Sequence, residues 1–168
     1  MDAHRLLQPA SPHQHLLVAT PSETCDLAWS LQATRGRQAA VRIVRGSKAR
    51  TTPDLFDEFA AALQFPYYFG ENWDALDECL ADLTWLVGDA YILFFTDAHR
   101  LLDRESAEEL ELLFGILENT ARKWTQTEKG GLDSALRPFH VVFQCAPDDE
   151  SGLLTRLANL SRSLSRLK

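Results

Sequence analysis

The chain has 168 residues, 45% of them hydrophobic and 24% charged, which suits one folded domain with a core of its own. Its formal net charge of −7 disfavours nucleic acid as a direct partner, and no run of ~18 apolar residues offers a membrane span. Three cysteines, Cys25, Cys79 and Cys145, lie far apart with no CxxC, which points to reduced thiols and a cytoplasmic setting.

The opening MDAHRLLQPASPHQHLLVAT is broken by His, Pro and Gln, so it does not read as a signal peptide. Its first fifteen residues are expected to be poorly ordered, with His13 and His15 only a weak hint of metal. HLLVAT then reads as a short strand, and Ser22 to Thr34 as a helix ended by Gly36. Ala39 to Val44 has the apolar content of a buried strand. Thr52-Pro53-Asp54 opens a helix, with Thr52 as cap, that Pro66 stops. Asn72 caps the next helix, which runs to Leu83. Tyr91 to Phe95 (YILFF) is apolar throughout and reads as a central strand. Ser106 and Glu109 suggest a capping box for a helix from Ala107 to Trp124. A polar loop spans 125–135, Phe139 to Gln144 is a last strand, and a last helix runs from Leu153 to Leu167.

Strands separated by helices imply an α/β fold: a small parallel sheet of three or four strands covered by helices. The segments fall into an N-terminal extension (1–38), a central domain (39–146) and a C-terminal helix (147–168).

The charge is concentrated. Between Arg50 and Arg100 there are ten acids and no Lys or Arg. Within that stretch the helix after Asn72 places Asp74, Asp77, Glu78 and Asp82 on one side and Leu76, Leu80 and Leu83 on the other. A charge run is often no more than a solvated face. Here unrelieved repulsion between neighbouring acids suggests a face kept for a basic partner. Four acids on a convex face diverge, which suits a Mg²⁺ or Ca²⁺ site poorly. Acid–base catalysis would want a cleft and a partner histidine, and His99 and His140 belong to other elements. Cys79 faces inward, as a buried thiol does. No P-loop, GxSxG or GxGxxG occurs.

Pro66, Tyr68, Gly70, Glu71, Asn72, Asp74, Ala75 and Leu76, followed by Cys79-Leu80, spell P-x-Y-x-G-E-N-x-D-A-L with a Cys-Leu after it. This segment resembles the barstar family of intracellular ribonuclease inhibitors, and the resemblance covers about Ala40 to Cys145, strong through Leu80 and loose after it. It implies a barstar-like fold without catalysis, metal or cofactor, and a basic ribonuclease or nuclease toxin as partner. It assigns Tyr68 as an aromatic stacking on the enzyme, Asn72, Trp73 and Asp74 as contacts from loop to helix, and Glu78 as the central acid. Asp77 and Asp82 join them on the outward side. The central acid is Asp in barstar and Glu here, and barstar has Trp where this chain has Asp77. A distal acid on the following helix would fall at Glu118 or Asn119. The chain is expected to act as a monomer. Left open beside this reading are Trp73 packing by Leu76, Tyr68 and Phe69 covering the core, and Gly70 serving only a left-handed turn. Two other functions stay open too: a carboxylate-dependent Mg²⁺ hydrolase, and a scaffold that kept the fold with another partner.

Overall fold

A computed structural model describes residues 3–33, 38–125, 136–160 and 162–167. The strands are β1 (Gln14–Val18), β2 (Ala39–Arg45), β3 (Ala90–Thr96), β4 (Phe139–Cys145) and β5 (Ser165–Arg166). The helices are α1 (Pro21–Gln32), α2 (Thr52–Leu63), α3 (Trp73–Asp82), α4 (Ala107–Thr125) and α5 (Glu150–Asn159). All strand pairs are parallel, in the order β2-β3-β4-β1-β5. The α/β class and helical cover agree with the sequence reading, but the sheet has five strands rather than three or four.

The sheet is buried on both faces, as a parallel sheet requires. Alternation along β3 sends Tyr91, Leu93 and Phe95 into a large core with α2, α3, α4 and α5, while Ala90, Ile92 and Phe94 enter a second core. Leu27, Ala28 and Leu31 of α1 close that second face, together with Leu6, Leu7, Leu17 and Leu167. The N-terminal segment is therefore no loose tail. A short 3-10 turn at Ala3–Leu7 buries Leu6 and Leu7, and β1 lies beside β4 inside the sheet. Composition misjudged it because its Pro, His and Gln residues are used for turns and buried hydrogen bonds. The C-terminus differs as well. The expected long helix stops at Asn159, and Ser165–Arg166 adds a strand beside β1. A two-residue strand leaves no periodic signal to read.

Helix starts are set by chemistry one or two residues from where the pattern put them. Thr20, not Ser22, caps α1, in a reciprocal box with Glu23. Thr51, not Thr52, caps α2: its side chain accepts from the Asp54 amide, while the Thr52 amide donates to Glu105. Ser106 hydrogen-bonds Glu108, while Glu109 turns to Trp73 and Thr52, so the expected capping box does not form. The expected end of α1 at Thr34 and Gly36, and all of the 125–135 loop but its first residue, lie outside the described residues. The open edge of β2 is blunted by side chains. Arg42 and Gln32 donate to the Val41 carbonyl, and the Arg45 amide donates to Glu58. Gly46 lets two loops meet, since a Cβ there would stand 2.6 Å from the Asp97 carbonyl oxygen.

Candidate protein-binding site

The turn between α2 and α3 rests on an aromatic floor. Phe65 meets Phe69 at 4.9 Å and Trp85 at 6.0 Å, both edge-on, and Phe56 lies edge-on to Trp73 at 5.2 Å. Such contacts add about 0.5–1.5 kcal/mol each beyond burial. The Trp85 indole N–H donates to the Leu63 carbonyl at 3.0 Å, which ties the segment after α3 back to the end of α2. With Phe65 and Phe69 turned in, Tyr67 and Tyr68 are left outside. Tyr68 is 67% exposed, so it does not cover the core. The left-handed residue of the turn is Glu71, at φ 48°, rather than Gly70. Gly70 serves close approach: its carbonyl accepts from Asn72 Nδ2 at 3.0 Å, the distance at which a Cβ on Gly70 would meet that same atom.

Asn72 caps α3 by accepting from the Ala75 amide at 2.9 Å. Asn72→Ala should cost about 1 kcal/mol, read as a fall of roughly 2–4 °C in Tm for a chain of this size. The helix is anchored by Leu76, Cys79 and Leu80, all buried, and ends at Leu83 in the left-handed region.

The outward side holds Asp74, Glu78 and Asp82, a row at i, i+4 and i+8. All three are exposed, and among the described residues none has an ion-pair partner. Asp77 is different. Lys123 of α4 reaches it at 3.0 Å, with the two side chains 51% and 38% exposed. The expectation of four free acids becomes three, with the fourth neutralised by a lysine 46 residues away. Such a half-exposed pair contributes ~0–1 kcal/mol. Asp77→Ala is expected to change stability by no more than that, checked by urea denaturation. Trp73 is likewise turned inward. Its indole N–H donates to Glu109 at 2.8 Å and its ring packs on Phe56, so it braces α3 against α2 and α4. On α4, Arg122 engages both Glu118 and Asn119, so neither position of the expected distal acid is free.

Tyr68, Phe69, Ala75, Glu78, Cys79, Asp82 and Trp85 line a shallow pocket of about 150 Å³. Small-molecule sites run to ~300–1,000 Å³, so this one suits the head of a single side chain better than a metabolite. Trp85 joins the pocket lining through the bond that ties its indole to the Leu63 carbonyl. Two carboxylates and three aromatic side chains share its lining. That combination favours a cation by charge and a planar group by stacking.

Nucleophilic chemistry is disfavoured. Burial, then Asp82 and Glu78, push the Cys79 thiol above its ordinary pKa, which keeps it protonated. His99 stands beside Asp149, and His140 is buried in β4, so neither lines the pocket. Among the described residues, no three His, Cys, Asp or Glu are grouped to hold a metal ion, and no helix is long and apolar enough to cross a membrane.

The family model described as Barstar (barnase inhibitor) covers residues 39–144, from the first residue of β2 to the penultimate residue of β4. No curated protein matches the chain.

Proposed function

This chain belongs to the barstar family, and on that premise we propose that it is a non-catalytic inhibitor of a basic ribonuclease or ribonuclease toxin. The row Asp74, Glu78 and Asp82 beside exposed Tyr68 carries this reading. Three carboxylates without ion-pair partners among the described residues form a negative stripe that a basic catalytic cleft would neutralise. Glu78 and Asp82 in the pocket lining would receive a cationic side chain, with Tyr68 stacking over it. Asn72 and Trp73 contribute by holding the helix start in place, and Asp77 contributes least because Lys123 already occupies it. Occlusion of the cleft would keep RNA out. Such an inhibitor acts where the ribonuclease would meet cellular RNA, so we assign it to the cytoplasm as a monomer.

A Mg²⁺-dependent hydrolase draws no support from a convex face whose carboxylates diverge. A scaffold role would use the same face, and binding assays separate it by the partner's activity. The test is stopped-flow association with a panel of basic ribonucleases at rising ionic strength. The expected result is a one-to-one complex whose association slows steeply, because screening shortens from ~30 Å at 0.01 M to ~8 Å at 0.15 M. An association rate indifferent to salt would contradict the reading.

A further inference from the structure

A second cluster of titratable groups lies on the opposite side of the sheet. His13, His15 and His140 are 5%, 1% and 1% exposed. His140 lies on β4, His15 on its neighbour β1, and their rings are 5.1 Å apart, with His13 at 5.6 Å from His140. The ring nitrogens form a directed chain. His140 Nε2 stands 2.8 Å from the Gln8 carbonyl, which can only accept, so that nitrogen carries the proton. His140 Nδ1 is then the acceptor for His15 Nε2–H at 3.0 Å. His15 Nδ1 is left with a bare lone pair, and among the described residues neither it nor His13 Nδ1 has a hydrogen-bond partner, although both are buried. Both nitrogens of His140 are committed within this chain, which leaves neither free for a metal.

The chain closes only when both imidazoles are neutral. A proton on His140 Nδ1 would face the His15 N–H. A proton on His15 Nδ1 would be buried with no acceptor. The charged groups around the cluster do not relieve this. Arg5 of the first turn disfavours a charge on His15 and His140. Glu118 and Arg122 of α4 act on His13 with opposite signs. Arg166 of β5, beside β1, is occupied by Glu150.

We propose that this histidine chain is an acid-sensitive latch that fastens the N-terminal turn and β1 to the edge of the family core. Gln8 and His15 are on the N-terminal side of the latch and His140 is on the core side. Residues 1–38 lie outside the family match, and the latch joins the two parts. Opening would loosen the core that Ile92, Phe94 and Val142 share with Leu6, Leu7 and Leu17.

The direction with pH follows from burial. Burial, then His140, holds His15 down to about 3, and burial holds His140 down to about 4. Released imidazoles take up protons below about pH 6.5. Closure is therefore fully favoured above that pH and weakens steadily as pH falls toward the closed-state values. Between pH 7.5 and 5.5 each imidazole raises the opening equilibrium about tenfold, and the two together about a hundredfold.

Hydrogen exchange, corrected for the intrinsic pH dependence of amide exchange, tests this on the intact chain. The expected result is a rise of at least about a hundredfold in opening of 14–18 between pH 7.5 and 5.5, to which His13, held down by burial, adds in the same direction, with 91–95 in β3 changing far less. In His140→Gln the rise should shrink by about tenfold. Imidazole ¹⁵N spectra of the unaltered chain give a readout that does not depend on the variant folding. They should show His15 and His140 as neutral Nε2–H tautomers down to pH 5. Titration of either near 6.5 in the folded chain, or equal opening of β1 and β3, would overturn the latch.

Discussion

Replacing Asp74 and Glu78 together by alanine is expected to weaken binding to a basic ribonuclease by a few hundredfold or more while leaving the fold intact. Truncating a well-placed interface side chain costs about 2 kcal/mol or more, roughly thirtyfold in Kd. Neighbours at i, i+4 share partners and do not add strictly, so the pair should fall somewhat short of the product. Loss of the stripe should also slow association, since steering depends on the summed field. Stability should hold to within about 1 kcal/mol. Both side chains are exposed, and the repulsion relieved is offset by loss of the favourable dipole interaction of Asp74 in the first turn of α3. Surface plasmon resonance beside a thermal melt reads both quantities on one preparation.

Leu80→Ala is expected to do the reverse. Leu80 is fully buried under α3, and its carbonyl accepts from the Trp124 indole at 3.0 Å. Emptying that position should cost about 2–5 kcal/mol, a fall of roughly 10 °C in Tm at ~2–4 °C per kcal/mol. The carboxylate row stays in place, so the folded fraction should still associate quickly and with the same salt dependence. Differential scanning fluorimetry with kinetics below the transition separates the two effects. The contrast divides α3 into a face that holds it and a face that it offers.

The sequence carried the parts of this division that are local. The spacing of Leu76, Leu80 and Leu83 against Asp74, Glu78 and Asp82 is helical, and helical period is the strongest signal a sequence has. Asn72 as cap was equally legible. YILFF read correctly as a doubly buried strand, and its alternation now accounts for two separate cores. What was hidden depends on distance along the chain. Lys123 neutralises Asp77, Glu109 holds Trp73 and Arg122 engages Asn119, and of these only the last is a neighbour in sequence. A charge run shows how many acids are present but not which have been answered from another helix. The N-terminal segment was misjudged for a related reason. His13, Gln14 and His15 look solvated by composition. They are buried because β1 enters the sheet beside β4, where Gln14 donates to the Phe114 carbonyl and His15 to His140.

The central claim is that a ribonuclease cleft closes on the acidic row. The most direct measurement is RNA cleavage by the partner that the chain captures from its native cell, using the unaltered chain beside Asp74→Ala/Glu78→Ala. The account predicts a basic protein that is captured by the first and lost by the second. Once released it should cleave RNA, and the unaltered chain should block it at one equivalent. A partner held equally by both chains, or one with no activity on RNA, would contradict the account.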